Sequence, residues 1–455
     1  MMSPGERYAA LLEPAAEEES LLRVPRRFSE HEVQAHWFAG SFGREFTAID
    51  GRRVTVIQFG VWNHEAGPDF ADAAVSFAGA EPVRGCIELD LDVRDWERHG
   101  HAQNPAYEKV VLHVFAQSSH AEFFARTASH RQVPQIRIDP ASLLDDPPTP
   151  QPEAKPGRCC APLKEVDEGR ARDILLAAAE HRLRRKAASL SRLSEVHGAD
   201  EALFQALAAT LGYKNNKLPF TLLSQRLPLR LLRETKEDAD AILFGVSGFL
   251  PSNDLTDFDS TTRSYLRELW ERWWPRRSEF ERIAIPATLW KLGGQRPVNH
   301  PQRRLAALAQ IVRHWPKIRA LRQRCDSAGI GDFFATLSDE FWDFHYTVSS
   351  KAAPRRMALV GESRVTEMLA NVFFPLAYAE DSSRWIGFKN LPATLSNQRV
   401  EVAAIRLFGP DNARAQHFLR NAALQQGLLQ VYEDFCANDA SDCAKCRFPA
   451  QLGRW

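Results

Sequence analysis

The residues best equipped for chemistry lie between Asn63 and His101, in three short runs: N-H-E-A-G-P-D-F (63–70), I-E-L-D-L-D (87–92) and D-W-E-R-H-G-H (95–101). Asp69 follows Gly67-Pro68, and the proline ring fixes its own φ and restricts the residue before it, which suits a carboxylate that must point one way. Glu88, Asp90 and Asp92 alternate, so on a strand they project to one face while Ile87, Leu89 and Leu91 take the other. Three carboxylates on one face repel, and a hard divalent cation such as Mg²⁺ or Mn²⁺ removes that repulsion. An acidic strand face is ordinarily a solvated one. Asp69 changes the balance, because it stands upstream at hairpin distance and would meet Glu88 on the adjacent strand. His99 and His101 form a His-x-His pair that can ligate zinc or another transition metal if a third ligand is supplied; the same composition is common in turns. His113, inside the apolar run VVLHVF, reads as a hydrogen-bonded core histidine.

A second set of candidate ligands closes the chain. Cys436, Cys443 and Cys446 fall within eleven residues, and the last two form a C-x2-C knuckle able to hold one metal between two thiolates. A fourth thiolate from Cys159 or Cys160 would complete a structural zinc or [4Fe–4S] site. The alternative is unrelated free thiols. Cys86 reads as structural and Cys325 stands alone.

These residues need elements to position them. Residues 29–39 read as a short helix, with Ser29 as N-cap and Glu32 as its capping-box partner. Runs at 52–61, 73–79, 83–93, 109–117 and 135–139 are β-branched or alternating and are broken by Gly, Pro and Asn, so they read as strands. From Glu165 the apolar period becomes 3.6, and helical patterns follow one another almost to the end. The layout expected is an N-terminal extension (1–28), an α/β or α+β domain (29–140), a Pro-rich linker (141–164), a mainly helical domain (165–435) and a Cys-rich tail (436–455).

Composition sets the outer limits. A chain of 455 residues is too long for one ordinary domain, and 44% apolar with 25% charged residues is the balance of a globular protein. Seven cysteines do not make a disulfide framework. No apolar run is long enough for a membrane span, and the acidic start lacks the apolar core of a secretory signal, so a cytoplasmic location is expected. Lysine plus arginine equals aspartate plus glutamate at 58 each, so nucleic-acid binding would depend on local patches. The patches are Arg182, Arg184, Arg185 and Lys186 on one helix, and Arg303 and Arg304 on another, whose start reads as capped by Asn299 with Pro301 in its first turn. Neither a P-loop nor a dinucleotide fingerprint nor a nucleophile elbow is present.

The order of helix, Pro-Asp and a strand bearing Glu resembles the PD-(D/E)XK nuclease superfamily, in which a helix precedes a three-stranded meander. The resemblance implies that Asp69 is the motif Asp, Glu88 the (D/E), and Glu32 the acid of the first helix. Asp90 takes the place of the family's lysine, which orients the attacking water; Lys109, on the next strand, is the substitute the sequence offers. The function implied is divalent-metal-dependent cleavage of nucleic acid, DNA before RNA, with Mg²⁺ or Mn²⁺ held by Asp69, Glu88 and Asp90. The missing lysine favours the alternative of an inactive nuclease-fold binding module. A small-molecule metallohydrolase built on His99 and His101 is the further alternative. The runs EAGPDF, DWERHGH, AYEKVVLHV, LFGVSGFL, RPVNHPQRRLAALA and QQGLLQVYEDFC also resemble a bacterial domain-of-unknown-function family across most of the chain, which supports the layout.

Overall fold

The structure is a computed structural model. It describes residues 2–12, 28–62, 67–117, 123–140, 161–250, 255–293, 296–393, 398–409, 413–437 and 446–455.

The alternating runs form one mixed sheet of β1 (Glu45–Thr47), β2 (Arg53–Gln58), β3 (Val61–Trp62), β4 (Phe70–Phe77), β5 (Val83–Asp92), β6 (Val110–Gln117) and β7 (Gln135–Arg137). The order across the sheet is β1-β2-β4-β5-β6-β7, with the two-residue β3 also paired to β4. Strands β2, β4 and β5 are an antiparallel meander. Strands β6 and β7 then join in parallel, which requires a crossover between β5 and β6. The residues 95–109 supply it through a single short helical turn and two 3₁₀ turns.

The faces of the sheet differ in kind. Ile87, Leu89, Leu112, Val114 and Ile136 point to one side and join a continuous hydrophobic core with the helices. Full burial of each such side chain contributes about 1.5–3 kcal/mol. Glu88, Asp90, His113 and Gln135 are buried on the other side. That side is closed by a smaller cluster of Trp96, Tyr107, Val110, Ala125 and Val133, from the crossover, the start of β6 and the segment before β7.

Helix α1 is Pro4–Leu12 and α2 is Glu30–Phe38. The capping box expected at the start of α2 is present: Ser29 Oγ accepts from the Glu32 N–H at 3.3 Å and Glu32 Oε2 accepts from the Ser29 N–H at 3.1 Å. After the short crossover helix α3 (Asp95–Arg98), the helical region opens with α4 (Glu168–His197) and α5 (Ala199–Arg226). Asp167 caps α4 by accepting the Arg170 N–H. The helix ends at Gly198, whose φ of 87° a side chain would resist. Helix α6 (Pro301–Arg313) starts after His300, not Asn299. Asn299 instead accepts a hydrogen bond from Arg304. Late in the chain α7 (Ala422–Tyr432) crosses α4 so closely that Gly427 rests on the Leu175 carbonyl.

Buried polar contacts sew the beginning and the end of the described chain onto α4. Tyr8 donates to Asp434, Glu180 accepts from the Gly5 N–H, and Arg182 pairs with Glu433. Sheet and helices thus share one core, and Leu163, beside the Pro-rich segment, is itself buried in it. Residues 141–160 of that segment lie outside the described residues. No helix among the described residues is long and apolar enough to cross a membrane.

Candidate metal centre

Strand register decides which side chains meet. Glu88 pairs with His113 on β6, and His113 pairs with Gln135 on β7, so the three share a face. Asp69 immediately precedes β4, where Phe70 pairs with Ile87, and this brings Asp69 beside Glu88. The Asp69 N–H donates to Glu88 Oε2 at 2.9 Å, and Asp69 Oδ2 accepts from the Leu89 N–H at 3.0 Å. The meeting expected from the sequence occurs, with each carboxylate held by a backbone donor on the other strand. The acidic face of β5 is not solvated: Glu88 is 5% and Asp90 2% exposed. Asp92, at the end of the strand, leaves the cluster and pairs with Arg94.

The D-W-E-R-H-G-H run builds the opposite wall. Asp95 accepts from the Asp92 N–H and pairs with Arg98, fixing the turn. Trp96 is fully buried and its indole N–H donates to the Arg126 carbonyl at 3.0 Å. Gly100 has φ 75° and ψ 20°, a left-handed conformation that reverses the chain between the two histidines. Their rings meet edge to face, with centroids 5.5 Å apart. His101 is clamped by stacking on Tyr107 at 4.0 Å and by the edge of Trp96.

One ligand atom from each of Asp90, His99 and His101 lies within 4.8 Å of the other two. His99 Nδ1 is 3.4 Å from Asp90 Oδ1, and His101 Nε2 is 3.1 Å from Glu88 Oε1. That His101 nitrogen is buried and has no hydrogen-bond partner, because its approach to Glu88 lacks the alignment of one. A buried ring nitrogen left without a partner is costly unless something else takes the position. His99 is 44% exposed and opens the cluster to solvent.

The electrostatics ask for positive charge. Loss of solvent, then the nearby Asp90, pushes Glu88 up to about 8. Loss of solvent, then Glu88, raises Asp69 well above the usual carboxylate range. Glu30, the first residue of α2, is raised by burial and then by Asp90. His101 is lowered by burial, against the pull of Asp90, Glu30 and Asp95. Carboxylates that would otherwise have to bind protons are natural ligands for a cation, whose own charge reverses this balance.

Several sequence candidates fall elsewhere. Glu32 is committed to its capping box, and Glu30 is the helix acid that reaches the cluster. Nothing in the sequence marks Glu30, since its role depends on where α2 begins against β5. Lys109 is exposed and its charge acts on the Cys86 thiol; the largest influences on Asp69 and Glu88 are burial and other carboxylates. The basic residues expected to cradle nucleic acid are occupied within the fold. Arg182 bonds Glu433, Gln426 and Gln430, Arg184 bonds Tyr378 and Glu6, and Lys186 bonds Asn371 and Gln426. Arg185 is half-buried beside them on α4. Arg303 is fully buried and donates to the carbonyls of Trp342, His345, Met357 and Ala358, while Arg304 donates to Leu359 and Asn299. Of the cysteine ligands expected, Cys436 and Cys446 are half-buried against the main core. Cys159, Cys160 and Cys443 lie outside the described residues, as do Asn63 to Ala66. His113 is the hydrogen-bonded core histidine the sequence suggests, with Asp90 and Gln135 as its partners.

A buried cluster of carboxylates and imidazoles on a mixed sheet, backed by a helical region, is the class this geometry defines. Residues 30–386 match the family described as "Protein of unknown function (DUF2851)", and the chain belongs to that family. No curated protein and no solved structure matches the chain.

Proposed function

We propose that Asp90, His99 and His101 hold one divalent transition-metal ion, with Glu88 beside it, and that the chain is a metal-dependent hydrolase of phosphodiesters. One observation carries the reading: three ligand atoms lie within 4.8 Å of one another, one of them from His101, whose buried Nε2 has no hydrogen-bond partner. Two imidazoles and a carboxylate suit zinc, manganese or iron(II) better than magnesium. Such an ion, when bound, supplies Lewis acidity and lowers the pKa of a coordinated water.

The chain's own residues divide the remaining tasks. Glu88 keeps Oε1 at the ligand side, since Oε2 is tied to the Asp69 N–H, and it takes a proton from the attacking water. Asp69 holds Glu88 in place. Asp90 stands where the nuclease resemblance puts a lysine, so deprotonation of the attacking water would fall to Glu88. The phosphodiester assignment is supported by the order of elements: helix α2, an antiparallel meander, Asp69 before its second strand and Glu88 on its third. The order resembles the PD-(D/E)XK arrangement, with β1 and β3 in addition.

A small-molecule substrate is the second reading. It is favoured by the internal hydrogen bonds of Arg182, Arg184, Lys186, Arg303 and Arg304, which engage those residues within the fold. The cysteines Cys436, Cys443 and Cys446, with Cys159 or Cys160, are proposed separately as a structural zinc or [4Fe–4S] site, on their spacing alone. The purified chain should be loaded with Mn²⁺, Zn²⁺ or Mg²⁺ and assayed on bis(p-nitrophenyl) phosphate, linear DNA and RNA. Cleavage lost in both His101→Ala and Glu88→Gln supports the hydrolase. Cleavage of the small diester alone selects the second reading, and metal uptake without any cleavage selects a non-catalytic module.

A further inference from the structure

The metal site has a positioning relay behind it, and its polarity can be read outward from the backbone. The Ala125 N–H can only donate, and it donates to Gln135 Oε1 at 3.2 Å. That contact fixes the orientation of the Gln135 amide, so Nε2 is the atom facing His113 Nδ1, 3.1 Å away. An amide nitrogen can only donate. Nδ1 of His113 must therefore accept, and the ring proton resides on Nε2. Nε2 in turn donates to Asp90 Oδ2 at 3.2 Å. Every member is buried: Gln135 is 4%, His113 0% and Asp90 2% exposed. Water is excluded from each link.

The relay leaves one oxygen of Asp90 uncommitted by it. Oδ2 is held by His113, and Oδ1 faces His99 Nδ1 at 3.4 Å, on the ligand side of the cluster. Glu88 repeats the plan, with Oε2 on the Asp69 N–H and Oε1 toward His101. Each carboxylate thus has one oxygen tied to a protein donor and one presented to the cluster. Partners of this kind set the orientation and basicity of a metal ligand, and removing one typically costs 10–100-fold in metal affinity.

We propose that His113, locked in its Nε2–H form by Gln135, is the positioning residue that presents Asp90 Oδ1 to a transition-metal ion. It is not itself a ligand. The inference rests on the metal site proposed above and adds the residues that orient it.

The test uses Co²⁺ as the probe on the full chain, with its visible absorption reporting coordination geometry and a chelator competition reporting affinity. His113→Leu should weaken Co²⁺ binding by about 10–100-fold and change the spectrum. His113→Gln, whose amide nitrogen can reach the place of Nε2, should recover most of the affinity. Gln135→Leu, one step further out, should weaken binding less and shift the spectrum in the same direction. Circular dichroism and thermal unfolding screen each variant for folding, and Gln135→Leu keeps the test open if His113→Leu does not fold. Unchanged affinity and spectrum in folded His113→Leu or Gln135→Leu would overturn the relay while leaving the metal site intact. Failure of the wild-type chain to bind Co²⁺ would overturn the site itself.

Discussion

Manganese should raise the unfolding temperature of this chain, and the two histidines should be responsible. The cluster gathers Glu30, Asp69, Glu88, Asp90 and Asp95 within electrostatic reach of one another, with ligand atoms of Asp90, His99 and His101 within 4.8 Å. These groups converge only when β4, β5 and the crossover are folded, so an ion binds the native state and not the unfolded one. At a hundredfold excess over its dissociation constant such an ion stabilises by about 2.7 kcal/mol. Unfolding entropy is roughly 2.1 cal/mol/K per residue, or about 1 kcal/mol/K for 455 residues unfolding through one continuous core. The quotient is a rise of about 3 °C. Mn²⁺ is the ion of choice because cysteine thiolates compete for zinc and take manganese poorly. Scanning calorimetry of the wild-type chain and of the double variant His99→Ala/His101→Ala, each with Mn²⁺ and with Ca²⁺, measures the effect. The variant should keep less than about 1 °C of the rise, and Ca²⁺ should give little in either protein. An equal rise in the variant, or an equal rise with Ca²⁺, would refute the assignment of the imidazoles as ligands.

Further outcomes follow from other parts of the molecule. Burial raises Glu201 to about 7 from an ordinary 4.5, so the folded state holds its proton more tightly than the unfolded one. The corresponding stability is full below about pH 4.5 and is lost as pH rises through about 7, up to roughly 3 kcal/mol. In urea titrations at pH 5 and pH 8, Glu201→Gln should lose less stability than wild type; equal losses would contradict this. Gly427→Ala places a methyl group on the Leu175 carbonyl and should cost on the order of 1–3 kcal/mol by forcing α7 off α4, read as a lower urea midpoint. Arg182→Ala removes one partner of the buried Glu433, 4% exposed, and leaves it paired with Arg399. The loss in denaturation should stay below the roughly 3–5 kcal/mol that a fully unpaired buried charge costs, because Arg399 remains, with no change in DNA retention at low salt. Gly100→Val forces a β-branched residue into a left-handed turn at about 1–2 kcal/mol, and should weaken Mn²⁺ binding measured by calorimetric titration.

Local rules made much of this fold legible in advance. β-branched or alternating runs located the five principal strands within a few residues, because each turns at least one face to a core. The capping box of α2 was readable because it is a contact three residues long. The carboxylates of β5 were read by face correctly for Glu88 and Asp90, but a strand pattern carries no information on what covers that face. Here Trp96 and Tyr107 cover it, from a crossover whose path depends on parallel pairing of β5 with β6. The joining of the histidine pair to the acidic pair, and the alignment of Gln135 with His113, depend on register between strands over 20 residues apart in sequence. The partners of Arg182 in the basic run on α4 were hidden for the same reason, since Glu433, Gln426 and Gln430 lie more than 240 residues further along the chain.

That last pairing bears on how the protein is made. Ribosomal synthesis delivers α4 long before α7 and the turn that follows it. Until those residues emerge, Arg182 has neither Glu433 nor the two glutamines, and Tyr8 has no Asp434. The β-meander has all of its strands within the first 140 residues and can pair early. The contacts of Arg182 with Gln426, Gln430 and Glu433 form only after residues 426–433 have been translated. Synthesis should therefore pass through a long interval in which the sheet is formed and the face of α4 that α7 covers is still exposed, the kind of surface that holding chaperones cover.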